Sequence, residues 1–210
     1  MNGFGFIALS AFIISFFLGV FVLCKDHRNL LNRLFVGYCL VGCYGAFMEY
    51  SIIEAESIKR VYFWLKQYTL IWPYLLAFQL HFVLLFIERV RLARNKIALT
   101  VIYAPAILFS VIGVLASEFK RTPVQQSWGW ALLAPENTVA VYAANVYISG
   151  IATLAIVLSL AYAVGKRREP RKRRQAVFLF IGLLMNMTWS VITAGVLPDL
   201  GRGRYCTNGA

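Results

Sequence analysis

The sequence predicts an all-α fold, a polytopic membrane bundle of six transmembrane helices. Three observations carry this expectation. Hydrophobic residues make up 60% of the 210 residues and the mean hydropathy is +0.68, well above the even balance of apolar and polar residues in soluble domains. The apolar residues gather in long runs almost free of charge, and about 20 such residues span a hydrocarbon core about 30 Å thick. Between the runs, the cations concentrate in every second loop. Alternating segments of about 10 residues, the sign of an outer-membrane barrel, do not occur.

In chain order, the spans are expected at about 4–24, 34–53, 65–87, 97–116, 139–164 and 175–197, within a transmembrane domain of residues 1–198 and ahead of a polar tail at 199–210. The first run lacks a basic leader and is too long and uniformly apolar for a cleaved signal peptide, so it reads as a retained helix. The second is short unless it continues past Glu49 to Ile53. The third contains Pro73, which removes a backbone donor and is expected to kink it. The fourth contains Pro105. The segment Ala116–Thr138 that follows is the one long connection, and it carries Trp128, Gly129, Trp130 and Pro135. Two readings of it stand side by side: an aromatic anchor at headgroup level, or a cap over a pocket. The fifth and sixth spans flank the basic run Lys166–Arg174.

The net charge is +12. The cations punctuate apolar spans instead of forming a basic face, which excludes nucleic acid as the expected partner and leaves the lipid bilayer. Lys25, Arg28 and Arg33 follow span one. Arg89, Arg91, Arg94 and Lys96 follow span three, and Lys166–Arg174 follows span five. The intervening loops hold few cations. The positive-inside rule therefore places the basic loops in the cytoplasm of a multi-pass cell-membrane protein and the N-terminus outside.

At 100° per residue, four spans show small or polar stripes. Cys39, Gly42, Cys43 and Ala46 share a face that Glu49 continues, which suggests a close-packing surface. Lys66, Thr69, Pro73 and Ala77 share another. Tyr142, Asn145, Ser149 and Ala152 form a third, and Gly182, Asn186, Trp189, Ser190 and Thr193 a fourth. Ionisable groups inside a membrane cost about 2.5–3.5 kcal/mol on insertion scales, so a partner or a wet cavity is expected around them. Glu49, Lys66, Asn145, Asn186 and Trp189 are accordingly the candidate ligand-binding residues, with Glu49 and Lys66 expected to interact. The alternative is that Lys66 snorkels to the interface and Glu49 lies in headgroups.

No constellation for catalysis is legible. There is no H-E-x-x-H and no G-x-x-x-x-G-K-[ST], and no nucleophile sits with a base and its orienting group. No catalytic residue, metal site or cofactor is expected. His27 lies in a basic turn, while His81 reads as a hydrogen-bonded helix residue. Cys24, Cys39, Cys43 and Cys206 give no disulfide framework.

Short motifs in order along the chain go further. They are Leu18-Gly19 with Val22-Leu23, then Asn29, Asn32, Arg33 and Phe35, then Tyr68, Pro73, Leu76, Phe78 and Phe82. Tyr103, Pro105 and Ala106 follow, then Trp128-Gly129-Trp130, Arg174-Gln175 and Leu197-Pro198. In these the chain resembles the N-terminal seven-transmembrane sensor region of bacterial and archaeal histidine kinases. The resemblance implies a sensory input domain of a two-component signalling receptor, receiving a small-molecule or membrane signal and acting on a cytoplasmic transmitter behind a seventh span. After Pro198 the sequence is polar, and neither that span nor a kinase is found, so a truncated receptor without kinase activity is expected. A true six-helix protein acting through a separate signalling subunit, or as a homodimer, also fits the pattern. The competing class is a small membrane transporter or accessory membrane subunit. Transporters pair Gly- or Pro-broken helices in matching halves, and here Pro73 and Pro105 lack a counterpart pair.

Overall fold

The computed structural model describes residues 3–115, 122–126, 129–132, 139–166 and 169–191. It is an all-α polytopic bundle. Helices α1 (Gly3–Lys25), α2 (Leu30–Ile53) and α3 (Ile58–Phe86) run antiparallel in sequence. A single turn, α4 (Val90–Ala93), leads to α5 (Lys96–Leu115). A hairpin of β1 (Pro123–Gln126) and β2 (Gly129–Leu132) precedes α6 (Val139–Gly165) and α7 (Pro170–Val191). Among the described residues, α1, α2, α3, α5 and α6 are long and apolar enough to cross a membrane. Helix α7 opens on a charged turn, and its expected end at residue 197 and the tail lie outside the described residues.

Local chemistry explains the boundaries. The Asn29 side chain caps α2 by accepting from the Leu31 N–H at 2.9 Å, and Asn95 caps α5 by accepting from Ile97 at 2.8 Å. Pro170 occupies the first turn of α7, where its missing donor costs nothing. Helix α3 runs unbroken through Pro73, leaving the Thr69 carbonyl without its usual donor. The end of α3 is a Schellman turn: Arg89 N–H donates to Leu84 O at 3.0 Å and Glu88 N–H to Leu85 O at 3.1 Å. The left-handed seat of that turn, usually glycine, is taken by Glu88 at φ 63°.

Helix α3 is the hub, packing against α2, α5 and α6, while α1 rests on α2 and α7 on α6. The core gathers Ala77, Leu80, Val83, Leu84 and Ile87 of α3 with Ile102 and Ala106 of α5, Ile151 and Ala155 of α6, and Leu183 of α7. Close approach depends on small residues. A Cβ on Gly113 of α5 would run into the Thr69 methyl group, and one on Gly19 would lie 3.2 Å from Cys39 Cβ.

Three of the four residues of the stripe expected on span five face outward. Tyr142, Asn145 and Ser149 are exposed, whereas the fourth, Ala152, is buried with Val141, Ala144, Ile151, Ala155, Ser159 and Ala163. Without a hydrophobic drive between helices in lipid, tight backbone approach decides which face turns inward. The alanines on α6 permit it.

Candidate functional site

One groove of about 440 Å³ runs along α2 between α1 and α3. Its floor is Tyr38, Gly42, Gly45, Ala46 and Glu49. Ser15 and Leu18 of α1 form one wall, and Tyr68, Trp72 and Leu75 of α3 the other. The small stripe of α2 thus divides its work. Cys39 and Cys43 are buried, with Cys39 close to Gly19. A Cβ on Gly45 would meet nothing within 4 Å, and one on Gly42 would make only an ordinary contact, 3.8 Å to Leu75. The space left by the missing side chains is the groove.

Of the five candidate residues, Glu49 lines the groove; its side chain is exposed and engaged in an interaction. Lys66 is exposed on α3, and Asn145 is exposed on α6, which does not pack on α2; neither lines the groove. Asn186 and Trp189 lie on α7, and their side chains fall outside the described residues. The ion pairs given among the described residues join Arg60 with Glu56, and Lys166 and Lys172 with Glu88 and Glu169.

Next to the Glu49 end of the groove sits the β1–β2 hairpin. The Trp130 indole N–H donates to the Ala55 carbonyl at 2.8 Å, in the turn between α2 and α3. Gly129, at φ +126°, lies so close that a Cβ would collide with the Ile53 carbonyl. Trp130 is therefore fixed on the turn between α2 and α3, beside the groove and not among its lining residues. Trp128 lies outside the described residues. Replacing Trp130 by phenylalanine keeps the ring and removes one hydrogen bond, worth about 0.5–1.5 kcal/mol net. Amide exchange in the hairpin is expected to quicken severalfold; an unchanged rate would show that the bond does not hold it.

Two further clusters lie away from the groove: one centres on His81, expected from the sequence as a hydrogen-bonded helix residue, and the other was not read from the sequence. His81 is buried and uses both ring nitrogens. Ala93 O, 3.0 Å from Nε2, can only accept, so Nε2 carries the proton and Nδ1 accepts from the Tyr103 hydroxyl at 3.1 Å. Tyr147 of α6 donates to Ile102 O at 2.8 Å. The bonds connect α3, α4, α5 and α6. The signal was His81 itself, whose partners lie on other elements.

The second cluster ties the α3–α4 turn to the α6–α7 turn. Glu88 bonds Lys172 at 2.6 Å and faces Lys166 at 3.5 Å, while Glu169 bonds both lysines, at 2.7 and 3.1 Å. Hydrogen bonding to Lys172 holds Glu88 below the usual carboxylate range, and Lys166 does the same for Glu169. Lys172 is raised in turn, first by Glu88. A depressed carboxylate stabilises the fold above its ordinary pKa, and that contribution is lost as pH falls through the lowered value; a raised lysine loses its contribution only as pH climbs past the usual lysine range. The cluster is thus intact across neutral pH and loosens in acid. The pairs are half-exposed and screened by salt. Accordingly, the acid-side fall in thermal stability should shrink in 1 M salt and in Glu88→Gln. Equal acid sensitivity in Glu88→Gln would exclude the cluster as its source.

Compared with known families, residues 7–202 match the model described as the N-terminal 7TM region of histidine kinase. No curated protein and no solved structure matches. A family match across nearly the whole length, on a helical bundle of this kind, decides the assignment: the chain belongs to the N-terminal 7TM region of histidine kinases.

Proposed function

We propose that this chain is the signal-receiving part of a histidine-kinase-type receptor, that it does not itself transfer phosphate, and that its basic turns face the cytoplasm with the hairpin outside. The family match over residues 7–202 carries the reading. The layout supports it. The hairpin stands by the N-terminal end of α3, the groove lies along its middle, and the core and the charge cluster gather towards its C-terminal end. Because α3 alone packs on α2, α5 and α6, an event that re-seats α1 and α2 must pass through it. A ligand shifts such a bundle only by binding one helix arrangement better than another.

The test is a chimera in which residues 7–202 precede the last span and transmitter of a histidine kinase from the same family. Substitutions at the groove or at Glu88 are expected to shift transmitter autophosphorylation severalfold. A transmitter indifferent to all of them would overturn the sensory reading. The 210-residue chain alone should incorporate no phosphate from labelled ATP. Orientation is tested separately: reporters inserted after Arg174 and between β1 and β2 should report opposite sides, with Arg174 cytoplasmic. Both on one side would refute the arrangement.

A further inference from the structure

We propose that the α1–α2–α3 groove binds a single-chain amphiphile with a cationic ammonium head, its chain lying along Gly42, Gly45 and Ala46 and its head at Glu49. The inference gives the sensory reading a ligand class and rests on that reading for its purpose, though not for the binding itself.

Shape selects the chain. The groove follows α2 from Phe35 to Glu49, about 20 Å of helix at about 1.5 Å per residue. About 440 Å³ laid along that length makes an elongated slot, the shape that an extended hydrocarbon chain fills. The volume falls within the range of about 300–1,000 Å³ common to small-molecule sites. The floor stays open because Gly45 has no side chain and nothing within 4 Å would meet one. In lipid, such a slot offers dispersion contacts along its whole length to a chain that enters it.

Charge selects the head. Glu49 is the one acidic side chain among the described residues that line the groove, and no lysine or arginine lines it there. Tyr68 and Trp72 line the facing wall, and aromatic faces attract an ammonium within about 6 Å of the ring centroid. A carboxylate has about four acceptor positions, so the interaction Glu49 already makes leaves capacity for an ammonium. A carboxylate- or phosphate-headed chain would instead meet like charge there.

The experiment uses the full chain in phosphatidylcholine nanodiscs, because detergent would compete for the slot. The probe is hexadecylamine carrying a diazirine on its chain, with adducts mapped by peptide mass spectrometry. Labelling should saturate on α1, α2 and α3 and be displaced by unlabelled hexadecylamine but not by hexadecanoic acid. Gly45→Leu, which fills the floor, should cut labelling at least tenfold, while Gly150→Leu, at an open position on α6, should label like the parent. Glu49→Gln should abolish the preference for amine over acid, and it keeps the test sharp even if Gly45→Leu fails to fold. Equal labelling in folded Gly45→Leu, or equal competition by hexadecanoic acid in the parent, would overturn the proposal. Labelling that no free amine displaces would mean that bilayer lipid fills the groove, and would overturn it as well. Failure here leaves the chimera result standing, and failure of the chimera leaves the labelling standing, so the two readings are separable.

Discussion

Replacing Gly129 by alanine is expected to release the β1–β2 hairpin from the bundle. Two causes act together. A φ of +126° lies in a region that residues with a Cβ rarely adopt, at a cost of about 1–3 kcal/mol. The added Cβ would also collide with the Ile53 carbonyl oxygen and press on the Ile53 side chain at 3.0 Å. The carbonyl belongs to the C-terminal turn of α2 and cannot swing aside without disturbing that turn. The hairpin must therefore lift, and with it goes the bond from Trp130 to Ala55. The combined effect should exceed that of Trp130→Phe alone, with faster amide exchange across residues 123–132, faster proteolysis there, and a lower unfolding temperature. If Gly129→Ala shows hairpin exchange no faster than Trp130→Phe, the close approach at Ile53 does not hold the hairpin. A chimera carrying Gly129→Ala would also report whether the hairpin affects output.

What the sequence disclosed and what it hid follow a physical division. Length and charge of apolar runs report how helices meet lipid, so α1, α2, α3, α5 and α6 were legible, as was the family. Faces were legible only where one periodicity ruled. On α2 the stripe Cys39, Gly42, Cys43, Ala46 was found, yet the same stripe both packs, at Cys39 and Cys43, and lines a groove, at Cys39, Gly42 and Ala46; a missing side chain marks close approach or empty space with the same letter. On α6 two stripes compete, and the alanines, not Asn145, turn inward. Glu49 was singled out by its cost in a membrane and does line the groove. Tyr68 appeared only as part of a family pattern and Tyr38 and Trp72 not at all, because aromatic residues are ordinary in spans. The left-handed seat of Glu88 was invisible, since nothing in the sequence separates a glutamate in a Schellman turn from one on a helix face. Its occupation by glutamate makes sense only once Lys166 and Lys172 are found beside it.

Removing the His81 imidazole should destabilise the bundle more than any loss at the charge cluster. His81→Phe keeps most of the volume but strands the half-buried Tyr103 hydroxyl and the buried Ala93 carbonyl. Each buried group left without a partner costs about 1–3 kcal/mol, so a total of about 2–5 kcal/mol is expected. Relief should come from the partner side: Tyr103→Phe removes the stranded hydroxyl. The double variant His81→Phe with Tyr103→Phe should then be more stable than the sum of single losses predicts, by about 0.5–3 kcal/mol. Unfolding followed in nanodiscs or mild detergent supplies all four corners of the cycle. Strict additivity would mean that the 3.1 Å contact between Nδ1 and the Tyr103 hydroxyl contributes nothing. Since Nε2 donates to Ala93 in the turn after α3, and Tyr103 lies on α5 next to Ile102, whose carbonyl accepts from Tyr147 of α6, His81→Phe should loosen α4 and α5 against α3. Amide protection around Ala93 and Asn95 is therefore expected to fall in His81→Phe and to stay near the parent level in Tyr103→Phe, because only the first breaks the bond to Ala93.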